Sequence, residues 1–324
     1  LSMELVGDYA GAAAIVNDAG IARSKGDTPS SSAWSALARA RCELAIGRPG
    51  PAKRAAIESA TDFADVNHPS GLRWAHGASM LASALAGDRA AARDAVAIFD
   101  HLDEGVPFLD VDVLRARAWA AWVLGHSSVA ATLLREAAAL AVDSGAVTLE
   151  AVALHDAFRL LRAPVADRLA VLARRAPVPG IVLRCRHVAG VAAQDPDELL
   201  AVTAKFERVG ALLLAAESAG DAARLATEQG RRSTARTAVG QRVRLADLCG
   251  NPLTPGLAGH QPITLTSRER DVATLAVEGR TSREIAQEFA VSVRTVDNLL
   301  QRVYVKLGVH GRAELAERMA EPLA

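Results

Sequence analysis

The chain has 324 residues with 37 Lys/Arg against 37 Asp/Glu, a formal charge of zero, and half of its residues are hydrophobic. Such a length accommodates two or three domains, and the composition is that of a core-forming chain, not an intrinsically disordered one. No apolar run approaches the roughly 20 residues of a membrane span, and three scattered cysteines (Cys42, Cys185, Cys249) form neither a CxxC pair nor a Cys/His cluster, which predicts no metal, no cofactor and a reducing, cytoplasmic setting.

From Leu1 to about Gly250 the pattern predicts helix after helix, because alanine and leucine fill a 3.6-residue period and alternating β-branched runs are rare. Short turns recur at Gly7-Asp8, Gly47-Arg48, Gly87-Asp88 and Gly125-His126, at intervals of 40, 40 and 38 residues. Alanine-rich helices are expected after them, over Ala10–Ala19, Ala52–Ala64, Ala90–Phe99 and Ser128–Ala141. Helices with larger residues are expected before them, over Trp34–Ile46, Leu72–Ala86 and Leu114–Leu124. The rhythm continues at Ala163-Pro164 and drifts through Asp195-Pro196 and Gly220-Asp221. A helix pair repeated at this period predicts an α-solenoid over residues 1–249, whose concave side is a natural binding surface. Trp34, Trp74, Trp119 and Trp122 fall on the first helices of the pairs and are expected mainly in the core. His68, His76, His101, His126 and His155 are scattered singly and are expected in surface or satisfied core roles. The repeat is already under way by Gly7, so Leu1 is expected to lie inside a longer natural chain.

Residues Arg224 to Arg244 are locally basic and read either as a solvated final repeat helix or as a non-specific DNA clamp. The proline- and glycine-rich stretch 250–262 then predicts a linker that permits domain motion.

Residues 263–324 predict a compact helical domain. A first helix runs from about Ser267 to Glu278 and stops at Gly279. A second runs from about Arg283 to Phe289 with Ser282 as its cap, and a third starts after Ser292 and runs to about Leu307. A further helix is expected over Arg312–Met319. Two helices joined by a short turn form a helix-turn-helix, whose second helix lies in a DNA major groove. Val296, Leu300, Val303 and Leu307 form the buried stripe of the third helix. Arg294, Asp297, Asn298 and Gln301 lie opposite, where Asn and Gln can pair with adenine and Arg with guanine. Arg302 and Lys306 occupy a flank suited to phosphates, as do Thr281, Ser282, Ser292 and Thr295 at the helix starts.

The C-terminal stretch resembles the DNA-binding domain of LuxR-type (GerE-like) bacterial regulators. The residues that carry the likeness are Leu265-Thr266-x-Arg268-Glu269, Gly279, Glu284-Ile285-Ala286, Ser292-x-x-Thr295-Val296, Val303-Tyr304-x-Lys306-Leu307-Gly308-Val309 and Arg312-Ala313-Glu314-Leu315. The resemblance implies that Asp297, Asn298 and Gln301 face bases, that Thr295, Arg302 and Lys306 lie near the backbone, and that the fourth helix serves a homodimer. The helical repeats resemble, on period and helical hairpins, the tetratricopeptide-like repeats of large LuxR-type regulators, which implies a small-molecule or protein effector on that domain. Leu299 stands where the family usually has histidine, and Asp297 where it often has lysine. The domain carries nine Arg/Lys and nine Asp/Glu, so weak binding as a monomer is expected. No GxxxxGK[ST] or GxSxG motif occurs, which predicts no nucleotide hydrolysis by this chain and no enzyme. The expectation is an all-α transcriptional regulator that binds double-stranded DNA and lacks a membrane anchor. The alternative is a protein-interaction scaffold with a weak DNA-binding head.

Overall fold

A computed structural model describes residues 8, 9, 11, 12, 14, 29–102, 107–257, 267–307, 309, 311, 312 and 314–316. The chain divides into two compact units, Leu1–His260 and Gln261–Ala324. The described residues are helix and turn, with no strand among them. Among them no helix is long and apolar enough to cross a membrane.

The first unit is a row of antiparallel helix pairs. They are α1 (Pro29–Ile46) with α2 (Pro49–Asp65), α3 (Pro69–Leu85) with α4 (Arg89–Phe99), and α5 (Pro107–Leu124) with α6 (Ser127–Asp143). The row continues with α7 (Val147–Leu161) and α8 (Ala166–Arg175), α9 (Pro179–Ala192) and α10 (Pro196–Arg208), and α11 (Leu212–Glu228) and α12 (Arg232–Leu248). Pair starts recur at intervals of 40, 38, 40, 32 and 33 residues. Each helix packs on its hairpin partner, and the first helices α1, α3, α5, α7, α9 and α11 also pack on one another in sequence, forming an inner layer. The local causes are visible in the sequence. Proline opens α2, α3, α9 and α10, where its missing N–H costs nothing. His68, Asp88 and Asp195 cap α3, α4 and α10 by accepting backbone amides. Fully buried alanines such as Ala36, Ala40, Ala52 and Ala56 let paired helices approach closely.

The row turns back on itself. Gly47, after α1, has φ +101°, and a Cβ placed there would lie 2.1 Å from Leu213 Cβ at the start of α11. Gly87 has φ +71° and would meet the Leu253 side chain at 2.4 Å. The Leu253 amide donates to the Leu85 carbonyl at 2.8 Å, and Thr254 is buried, so residues 251–257 pack on this unit. The rest of the expected linker, 258–262, lies outside the described residues. One expectation is corrected. Gly220-Asp221 is not a turn but lies within α11, and the left-handed turns are at Gly210 and Gly230. The error has a physical cause: Gly220 is needed for close packing, since a Cβ there would stand 2.4 Å from the Gly256 carbonyl oxygen. Of the predicted helix Ala10–Ala19, residues 11, 12 and 14 are helical and the rest are not described. Trp74 and Trp119 are buried, whereas Trp34 is 40 % exposed.

The second unit contains α13 (Ser267–Val277), α14 (Ser282–Glu288), α15 (Val293–Leu307) and a helical stretch that includes Arg312 and residues 314–316. Val272, Ala276, Ile285, Val296, Leu300, Val303 and Leu315 form its core. The buried stripe of α15 thus follows the sequence pattern at Val296, Leu300 and Val303, while the side chain of Leu307 lies outside the described residues. Residue 313 and residues 317–324, with half of the predicted dimerisation helix, are likewise not described.

Candidate nucleic-acid interface

The chain leaves α14 through a four-residue turn, Phe289 to Ser292. Ala290 takes φ +51° there, a left-handed conformation that costs a non-glycine residue and is sustained by its surroundings. Arg268 of α13 supplies part of that support. Its guanidinium stacks 3.8 Å from the Phe289 ring centroid and donates to the Phe289 carbonyl at 3.1 Å. Sequence reasoning placed Arg268 in a motif without assigning it this role.

The start of α14 corrects the predicted cap. Thr281, not Ser282, is the N-cap residue. Its hydroxyl accepts from the Glu284 amide at 3.3 Å, and the Glu284 carboxylate accepts from the Thr281 amide at 2.7 Å, a reciprocal capping box. These Thr281 hydrogen bonds, the backbone amide first and the hydroxyl second, hold the Glu284 carboxyl below its ordinary pKa. Ser282 is the first helical residue, and its hydroxyl accepts from Arg312 at 3.0 Å. Arg312 also donates to the Arg280 carbonyl, so it fastens the last helical stretch to the mouth of α14. The Thr-x-x-Glu spacing carried the signal for the true cap.

At the start of α15, Ser292 Oγ accepts from the Thr295 amide at 3.1 Å and lies 2.7 Å from Thr295 Oγ1. This end of the helix carries its positive partial charge and suits an anion. Arg294, Asp297, Asn298 and Gln301 are all exposed at i, i+3, i+4 and i+7, opposite the buried stripe. Thr295 and Arg302 are exposed on the flank. The side chains of Arg294, Asp297, Asn298, Gln301 and Arg302 make no hydrogen bond or ion pair among the described residues. The Lys306 side chain lies outside the described residues. Leu299 is half-buried against the core, so an apolar residue is accommodated at this position. The basic stretch before this unit is mostly engaged in packing its own helix pairs. Arg231 pairs with Asp197, Arg244 with Glu207, and Arg224 with Glu228 and Asp221.

Residues 263–319 match the family of bacterial regulatory proteins of the luxR type. Over 50 residues the chain is 46 % identical to the spore germination protein GerE of Bacillus subtilis, covering 15 % of this chain and 68 % of that protein. It is 44 % identical over 57 residues to a protein of Mycobacterium tuberculosis described as an HTH-type transcriptional regulator, covering 18 % of this chain and 6 % of the relative. The transcriptional regulatory protein DesR of Bacillus subtilis is 39 % identical over 57 residues, covering 18 % of this chain and 29 % of the relative. The chain therefore matches only a small part of the mycobacterial relatives' length. No solved structure matches it.

Proposed function

This chain belongs, through its C-terminal unit, to the luxR family of bacterial regulatory proteins, and from that premise we propose that it is a DNA-binding transcriptional regulator whose α15 reads base edges in the major groove. The observation that carries the proposal is the row Arg294, Asp297, Asn298 and Gln301, exposed and without partners among the described residues, on the face of α15 opposite its buried stripe. A major groove offers each of these side chains a complement on its base edges. Asn298 and Gln301 are the base-pairing residues and Arg294 the guanine-directed one. Arg302, Thr295, Ser292 and Lys306 face the phosphates. Thr281 and Ser282 stand there at the start of α14, where their hydroxyls also hold Glu284 and Arg312, as those of Ser292 and Thr295 hold each other at the start of α15.

Residues 263–324 act as the DNA-binding domain, the helical repeats over 1–249 as the sensory domain, and the stretch between as their connection. A module without net charge gains little from phosphate neutralisation alone. Function as a dimer on paired half-sites follows from that weakness, through the C-terminal helix or through regulation by the repeats. The test is selection from a pool of random duplexes across a salt series, with sequencing of the bound fraction. The expected result is a roughly palindromic motif that the Asn298→Ala/Gln301→Ala protein no longer enriches. Enrichment of the same motif by that variant would remove α15 as the reading helix.

A further inference from the structure

The repeat unit holds a partly open cavity of about 110 Å³, lined from α1, α3, α5, α7, α9 and α11 and by Tyr9. This is the inner layer of helices, closed where the row of pairs turns back. An apolar cavity of roughly 150 Å³ accepts benzene, with its six carbons, so this smaller one takes a molecule of about six heavy atoms or fewer.

Its wall carries a ladder of ion pairs. Arg41 donates to Asp112 at 2.7 Å, and Arg115 bridges Asp112 at 2.6 Å and Asp156 at 2.8 Å. Arg159 bridges Asp156 at 2.7 Å and Glu217 at 2.6 Å. Three guanidiniums are thereby matched by three carboxylates. Arg184 is the fourth guanidinium on the wall, and it is different. It is 8 % exposed, and its Nη1 donates to two neutral oxygens, Tyr9 Oη at 3.0 Å and the Gly180 carbonyl at 2.7 Å. No carboxylate pairs with it among the described residues. Among the described residues its Nε has no acceptor, and neither has Nε1 of Trp74, which is 6 % exposed on the same wall. Native proteins rarely leave buried donors without an acceptor, because each costs its full desolvation. Here two such donors and one unbalanced positive charge line a single cavity.

We propose that this cavity is the binding site of a small organic monocarboxylate. Arg184 takes the carboxylate and Trp74 supplies a second donor, while the tail packs on Leu44, Leu81, Val113 and Leu149. The single unmatched positive charge favours a monoanion. The other guanidiniums on the wall are already paired with carboxylates, so a second negative charge finds no partner there, which disfavours phosphate, and the apolar remainder of the wall favours a hydrocarbon tail over a small inorganic ion. A regulatory effect of the ligand rests on the sensory role proposed above; its binding does not.

The experiment is thermal unfolding of the full chain with a series of monocarboxylates from acetate to butyrate, each beside its primary amide, at millimolar concentration. A ligand that binds only the folded state raises the midpoint with its concentration. The expected result is stabilisation by at least one acid and not by its amide. Arg184→Gln is expected to weaken that acid by roughly 10- to 100-fold, and Trp74→Phe by roughly 3- to 10-fold. Because Arg184→Gln also removes a buried hydrogen bond to Tyr9, Trp74→Phe, which retains the ring and every ion pair, is the decisive variant where the first fails to fold. The site is overturned if no acid stabilises, if amides act equally, if inorganic phosphate acts where the acids do not, or if Trp74→Phe responds as the unsubstituted chain does. DNA affinity measured with and without the acid separates the two ideas. An acid that binds without altering DNA affinity leaves the site standing and removes the sensory role.

Discussion

The two units of this chain are built from the same kind of amphipathic helix and dispose of their polar side chains in opposite ways. In the repeat unit the charges are turned inward. Asp156, Glu217 and Asp221 are each at most 2 % exposed and are held by Arg115, Arg159 and Arg162 from neighbouring helices. Among the described residues of the C-terminal unit the core is apolar apart from Glu269, and Arg294, Asp297, Asn298 and Gln301 of α15 are exposed without partners. A buried network makes a unit depend on each member, since removing one leaves another charged and unpaired in a poor solvent. An exposed row can be altered with little effect on folding and a large one on recognition. The difference predicts where each unit is fragile.

The largest expected effect is in the repeat unit. Glu217→Ala leaves Arg159 buried without its bidentate partner and is expected to cost about 3–5 kcal/mol, read by chemical denaturation. If the loss stays under about 1 kcal/mol, the network contributes no more than a surface pair. Acid sharpens the contrast. Burial pushes the Asp112 carboxyl up, but Arg41 and Arg115 outweigh it and hold it at about 2, against an ordinary 3.8. For Asp221 the opposing groups are His187 and Arg162, with the same outcome of about 2. Both carboxylates bind protons more readily unfolded, so their stabilisation is full above 3.8 and is lost as pH falls toward about 2. His155 acts earlier. Burial, and then His187, hold its pKa well below 6.5, so the unfolded chain gains a proton that the folded one refuses as pH drops through 6.5. The repeat unit is thus expected to weaken in two stages on acidification, followed by circular dichroism, and a single sharp loss in the carboxylate range would exclude the histidine stage.

Smaller effects belong to the C-terminal unit. Thr281→Ala removes both hydroxyl contacts of the capping box and is expected to cost about 1 kcal/mol, with the Glu284 contribution fading as pH falls through the carboxylate range. The smallest is Asn298→Ala with Gln301→Ala. Their stability change is expected within about 0.5 kcal/mol, alongside lost discrimination of about 1–3 kcal/mol for each base contact removed. A large loss of stability in that double variant would assign these residues a structural role.

How much was legible follows from the range of the forces involved. Helix after helix, the period near 40, the turns at Gly47 and Gly87 and the buried stripe Val296, Leu300 and Val303 all rest on local spacing and backbone preference, which a sequence displays directly. The exposed row on α15 is legible for the same reason, since it is the complement of that stripe. Gly220 misled because a glycine serves equally for a turn or for close packing, and the nearby Gly256 carbonyl that decides between them is 36 residues away. Thr281 was passed over for its neighbour although the Thr-x-x-Glu pattern was present. The sequence by itself determined that this chain is a series of helices, because those features follow from intervals of three, four and about forty residues, and its C-terminal motif residues carried the resemblance to luxR-type regulators. Only the tertiary structure decided that Arg41, Asp112, Asp156, Arg159 and Glu217 form one buried ladder and that Arg184 stands beside it unmatched. These residues are widely spaced along the chain, and desolvation acts on what packing brings together, whatever the distance in sequence.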